Sequence, residues 1–317
     1  MRRTLAVAAL AAVAVVACPA CGKGKDAAQG AQGFESPAPP FNADAAFALL
    51  KQQVAFGPRV PGTPGHQLQL DWMVKYLRQR ADTVILQSFT TVAPNGDTLH
   101  LTNVFARFKP ANADHVLLLA HWDTRPTADN ETNLALKRQP ILGANDGASG
   151  VAVLMQLADD LKRHSPPLGV DLLFVDGEDY TGDMYLGSEE FAAKFAPTYH
   201  PLYGVLLDMV GDQNPSYPVE PSSQQYAPEV VQRVYDMADK LGLGQYFPRS
   251  PGIEIQDDHI PLNKAGIHTV DLIDFAYGPD GVSNEYWHTL QDTVAHCSPA
   301  GLAAVARVVG ALIYTGG

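Results

Sequence analysis

Short apolar runs and longer segments of helical periodicity alternate through most of this 317-residue chain. The most informative run is LLFVDGED, Leu172 to Asp179, which is rich in branched and aromatic residues and ends in two adjacent carboxylates. Flanked by Gly169 and Gly177, it reads as a buried central strand. Glu178 and Asp179 then stand at its carboxyl end, the edge where ligands bind in open α/β sheets. Neighbouring carboxylates in a cleft repel unless positive charge holds them. A metal ion does so, leaving one carboxylate as ligand and the other as base.

Upstream, Asn42 to Val54 has helical apolar spacing, FGPRVPGTPG interrupts it, and His66 to Arg80 resumes a helix with Leu68, Trp72, Tyr76 and Leu77 on one face. Strand-like runs at Thr83–Val92 and Leu99–Phe108 flank APNGD, whose Asn95 and Gly96 suit a hairpin. Strands at His115–Ala120, Val170–Val175, Tyr203–Val210 and Ile267–Phe275 then alternate with helices at Gly147–Arg163, Gly187–Phe195, Ala227–Leu241 and Pro299–Tyr314. This order implies an α/β fold: one globular domain over 42–317, with a central mixed, mostly parallel sheet, helices on both faces and an antiparallel hairpin at one edge. A hydrophobic content of 46% is ample for such a core.

The start of the chain departs from this pattern. Arg2 and Arg3 precede an Ala/Val/Leu run, Leu5 to Ala17, too short to span a bilayer comfortably and typical of an export signal. VVAC, Val15 to Cys18, resembles a bacterial lipobox, so 1–17 is expected to be removed and Cys18 lipidated, with Cys21 the weaker alternative. The Gly/Ala/Gln/Pro-rich stretch that follows makes 18–41 a flexible tether from membrane to domain. The expected location is therefore outside the cytoplasm, on a membrane-anchored lipoprotein facing the periplasm or cell surface. Cys297 is the one cysteine beyond this region, which excludes a disulfide framework. A net charge of −12 without Lys/Arg clusters argues against nucleic acid as a partner.

Polar residues collect at the expected strand ends. His121 and Asp123 follow HVLLLA, Asp146 lies in GANDGASG, Asp208 in GVLLDMVG and His288 in YWHTLQDT. Singly each has a plain explanation, such as a helix cap for Asp146. Jointly they bring carboxylate and imidazole groups to one edge, the donor set of a catalytic zinc site.

The order of HWD, GANDGASG, DGED, LLDMVG and WHTLQDT resembles the co-catalytic zinc aminopeptidases and their relatives, the glutaminyl cyclases, over nearly all of the chain from Asn42. The resemblance implies one zinc site of Asp146, Asp179 and His288 and a second of His121, Asp146 and Asp208, with Glu178 as general base. GIEIQDDHIPLNKAGI resembles the cyclase motif through the acid pair beginning at Asp257, and Trp287 beside His288 is likewise similar to the cyclases. By that resemblance Asp257 and Asp208 join Glu178 in an acid network, while Trp287, Gln256 and His259 surround the substrate pocket. Asp179 stands where animal cyclases carry Glu, and the loop after it has no counterpart of their Trp, so the bacterial branch is the better match. The implied activity is conversion of the amino-terminal glutamine of peptides and proteins to pyroglutamate, with ammonia released. A di-zinc aminopeptidase is the alternative, and a catalytically inactive binding module a third reading.

Overall fold

The computed structural model describes residues 34–180 and 185–317. The expected signal, Cys18, Cys21 and most of the tether lie outside them. Of the tether, 34–41 is described: it has no helix or strand, and Phe41 already packs against the core. No helix among the described residues is long and apolar enough to cross a membrane.

Among the described residues, six strands build the sheet: β1 (Thr83–Val92), β2 (Thr98–Phe108), β3 (His115–His121), β4 (Gly169–Val175), β5 (Tyr203–Asp208) and β6 (Thr269–Ile273), in the order β1-β2-β4-β3-β5-β6. β4, β3, β5 and β6 are mutually parallel, and the β1–β2 hairpin adds antiparallel to β4. The mostly parallel sheet with a hairpin edge is thus as the apolar pattern implies.

Both faces are covered, because successive strand side chains point to opposite sides. Val116, Leu118 and Ala120 join the larger core with helices α1 (Ala43–Ala55), α3 (Ala148–Arg163), α6 (Pro228–Lys240) and α8 (Pro299–Tyr314). Leu117 and Leu119 face the smaller core with α4 (Leu186–Phe195) and α7 (His259–Lys264). The remaining helices are α2 (Pro64–Arg78) and the short α5 (Pro221–Tyr226).

Three expectations are corrected. The inward face of α2 is His66, Gln69, Met73 and Leu77, while Leu68 is 52% exposed. Two of these inward residues are polar and are paired: His66 with Asp176 (2.9 Å) and Gln69 with Gln53 (3.0 Å). β5 stops at Asp208 because Met209 turns into the left-handed region, φ 50°. β6, an edge strand pairing only with β5, is limited to Thr269–Ile273 by its partner's length.

α3 approaches the sheet so closely that a Cβ on Gly150 would lie 2.1 Å from the Leu207 carbonyl oxygen and 2.8 Å from Ala120 Cβ. That approach carries the loop before α3 to the strand ends. Gly150→Ala gains about 1 kcal/mol in helix propensity, but its methyl meets main chain, so α3 must shift. The expected net loss is about 1–3 kcal/mol, read as a lower Tm in thermal denaturation.

Candidate active site and metal centre

Parallel pairing sets the geometry. His121, the last residue of β3, is in register with Val175 of β4; on the other side Leu119 pairs with Leu206. Two residues further on, His121 comes abreast of Asp208, and its Nε2 lies 3.2 Å from Asp208 Oδ1. The same nitrogen is 3.1 Å from Asp146 Oδ1.

Asp146 arrives on the loop before α3. The main-chain N–H groups of Asn145 and Asp146 donate to the Asp292 carboxylate at 2.8 and 3.2 Å. Buried Arg59 donates to the carbonyls of Leu142 and Gly143, the latter at 2.7 Å. Gly147 then takes φ 93°, where an added Cβ would sit 2.6 Å from the Asp123 carbonyl oxygen. Only glycine suits that turn.

The exit of β4 is fixed by the exit of β3. Both oxygens of Asp123 accept hydrogen bonds from the N–H groups of Glu178 and Asp179, each at 3.1 Å. His288 comes from the loop before α8, with φ 53° and its Nε2 3.4 Å from Asp179 Oδ1 and 3.5 Å from Asp146 Oδ2. Asn130 secures this loop by donating to the carbonyls of His288 and Trp287, both at 3.2 Å.

Among the described residues two buried groups result, His121–Asp146–Asp208 and Asp146–Asp179–His288, with ligand atoms within 4.8 Å of one another in each. They share Asp146. The donors fit zinc, which takes imidazole nitrogen and carboxylate oxygen in three-ligand catalytic sites. Charge agrees, since Asp146, Glu178, Asp179, Asp208 and Asp257 line one cavity, and Asp179 Oδ2 is buried without a hydrogen-bond partner among the described residues. Arg125 Nη1, 2.6 Å from Asp179 Oδ1, neutralises only part of that charge.

Burial, with the charges of Asp179, Asp257 and Asp258, pushes the Glu178 carboxyl well above the usual range despite His121. Burial, with Asp208 and Asp258, does the same to Asp257. Burial would lower His121, but hydrogen bonds to Asp123, Asp146 and Asp208 outweigh it and hold the imidazole well above its ordinary value. Clustered acids with raised proton affinity beside an imidazole are the elements of a proton shuttle.

The cavity is narrow, about 40 Å³, and Ile255, Ile273, Phe275 and Trp287 line it together with the acids. Trp287 packs edge-on to Phe275 at 4.9 Å and stacks on His288 at 3.9 Å. Gln256 lines the same cavity, its carbonyl accepting from Tyr185 Oη at 2.6 Å. His259 does not line it: fully buried in α7, its Nε2 lies 3.2 Å from Glu220 Oε2. It is the first residue of α7, directly after the acid pair, and its ring turns toward Glu220.

Several supporting residues escape sequence reasoning. Asp292 lies within WHTLQDT, yet an acid four residues after a ligand gives no sign of reaching Asn145. Arg59 sits in a segment readable only as a loop. Arg125, four residues after His121, had a usable signal, because a cation inside an acid-rich constellation needs a partner there.

The model of peptidase family M28 matches residues 103–313, more than half of the chain. A glutaminyl-peptide cyclotransferase-like protein of Bos taurus is 26% identical over 288 residues, covering 80% of this chain and 71% of that protein. The structure of Tannerella forsythia glutaminyl cyclase is 39% identical with a TM-score of 0.81, covering 87% of this chain and 99% of the other. A Zn-dependent exopeptidase from Parabacteroides distasonis is 35% identical, with a TM-score of 0.83 and coverage of 87% and 99%. With the strand ends, donor set and these matches in agreement, the chain belongs to peptidase family M28 and is a homologue of the glutaminyl-peptide cyclotransferases.

Proposed function

We propose that this protein is a glutaminyl-peptide cyclotransferase, closing amino-terminal glutamine to pyroglutamate with release of ammonia. The observation that carries the reading is the narrow cavity lined by Trp287, Phe275 and Ile255 together with Glu178 and Asp257. The acids suit a substrate's terminal amine, and a small apolar slot suits the methylenes of a glutamine side chain.

Asp146, Asp179 and His288 would hold zinc, which when bound would supply Lewis-acid polarisation of the side-chain amide carbonyl. Glu178 accepts a proton from the α-amine as that nitrogen bonds to the amide carbon, and delivers it to the side-chain nitrogen as the C–N bond breaks. Ammonia departs, and no water is consumed. Asp257 and Asp208, clustered with Glu178 in the same cavity, strengthen it as a base, because buried acids raise one another's pKa. Trp287 and Phe275 exclude water and confine the side chain. His121 lies 3.1 Å from Asp146 and 3.2 Å from Asp208, which makes these three the second donor group.

A second reading, a di-zinc aminopeptidase, is favoured by one observation. The two donor groups share Asp146, so two cations could be bridged. Asp257 separates the readings. In the cyclotransferase, Asp257→Ala is expected to lower kcat on a glutamine-terminated peptide by about 100-fold or more, with Asp257→Asn intermediate, since the amide keeps the size and loses the charge. Unaltered kcat in both variants, measured by ammonia release, would remove Asp257 from the mechanism.

We further propose export and lipid anchoring at Cys18, resting on the VVAC motif. Cys18→Ser is expected to move the protein out of the membrane fraction or leave it unprocessed. Unchanged fractionation with mature-size protein would point instead to Cys21.

A further inference from the structure

Beside the narrow cavity lies a wider groove of about 370 Å³ that shares Phe275 with it. The main chain joins the two: Ile255 lines the narrow cavity and Ile253, two residues back, lines the groove. Its other apolar walls include Pro218, Pro251 and Val282. Ile253 is 62% exposed and Val282 80% exposed, an unusual pairing of branched apolar residues at the mouth of an acidic site.

Both walls are held in shape. Val219 N–H donates to the Ser250 carbonyl at 3.0 Å, and Gly252 N–H to the Val219 carbonyl at 2.8 Å. Across the groove, Asp280 Oδ1 accepts from Val282 and Ser283 N–H at 3.0 and 2.7 Å. A preformed apolar surface loses little entropy on binding.

We infer that this groove is a specificity subsite for the residue that follows the amino-terminal glutamine, selecting an aliphatic or aromatic side chain there. The inference rests on the cyclotransferase reading. When the glutamine side chain fills the narrow cavity and its amine meets the acids, the glutamine carbonyl must lead out past Phe275. The next residue lies within about 4 Å of chain length, which brings its side chain to the groove. A polar cavity containing Glu131, Glu285 and Asn130, which meets the groove at Asn284 but shares no residue with the narrow cavity, would favour a basic residue instead. The groove sharing Phe275 is the one continuous with the narrow cavity.

The test compares ammonia release from peptides of sequence Gln-Leu, Gln-Phe, Gln-Ser, Gln-Lys and Gln-Gly at the first two positions, with the wild-type zinc-loaded protein and with Ile253→Ser/Val282→Ser. Both substitutions are at exposed positions and spare the core. Wild type is expected to favour Leu and Phe over Ser by about 10-fold in kcat/KM, carried by KM. The double variant is expected to lose that preference while its kcat/KM for Gln-Gly stays unchanged. A preference that persists in the double variant, its absence in wild type, or a preference for Lys would overturn the subsite. Ammonia from no peptide, Gln-Gly included, would overturn the cyclotransferase reading and the subsite with it.

Discussion

Glu178→Gln is expected to fold normally, bind zinc as wild type does and turn over glutamine-terminated peptides about 100 to 10,000 times more slowly. The amide is nearly the same size as the carboxyl but cannot carry a proton from the α-amine to the leaving nitrogen. Folding should survive because the segment is held through the Glu178 main-chain N–H on Asp123, which the substitution leaves in place. Metal binding should survive because neither donor group contains Glu178. Zinc content by atomic absorption and initial rates by ammonia release check both halves. Zinc lost together with activity would move Glu178 among the metal ligands.

His288→Ala is expected to behave differently, losing zinc and activity together. Asp146 and Asp179 alone leave two carboxylates, one fewer than the three protein ligands of a catalytic zinc site. Substitutions that only disturb a ligand's hydrogen-bond partner already cost about 10- to 100-fold in metal affinity, so removing the ligand should cost more than about 100-fold. His288 also has φ 53°, a region in which Asn is tolerated better than most residues. His288→Asn therefore serves as a control for backbone strain, and it too should lose zinc. Zinc should raise the Tm of wild type by mass action and leave that of either variant unmoved. Full occupancy in His288→Ala would place the metal elsewhere.

Most of the sheet and the ligand set was legible because parallel strands convert a linear pattern into a spatial one. A run such as HVLLLAH or GVDLLFV announces a strand buried on both faces, and the residue where apolarity ends marks the active edge. That logic brings His121, Glu178, Asp179 and Asp208 to the same edge before any coordinates. Asp146 and His288 sit on loops, and it was their motifs rather than periodicity that brought them in.

What stayed hidden depends on contacts distant in sequence. Asp292 orders the Asp146 loop across 146 residues, and Arg59 reaches the same loop from the segment between α1 and α2. α2 was misread because its inward residues include His66 and Gln69, whose partners Asp176 and Gln53 lie in other elements. An apolarity rule ranks Leu68 above them. α5 was missed because six residues span less than two turns and its start depends on Glu220, whose carboxylate accepts from Ser222 and Ser223 N–H. His259 was carried into the pocket by its place beside the acid pair, whereas helix geometry points it at Glu220.

The central claim is the reaction itself, and the most direct measurement follows two products at once from zinc-loaded wild-type protein. A peptide beginning with glutamine and a leucine-terminated amide are incubated in parallel, with ammonia, pyroglutamyl product and free amino acids quantified. The cyclotransferase reading requires ammonia and pyroglutamyl peptide in equal amounts from the first substrate and no amino acid from either. Release of free leucine or glutamine without ammonia would contradict it and assign the same Asp146, Asp179 and His288 to an aminopeptidase.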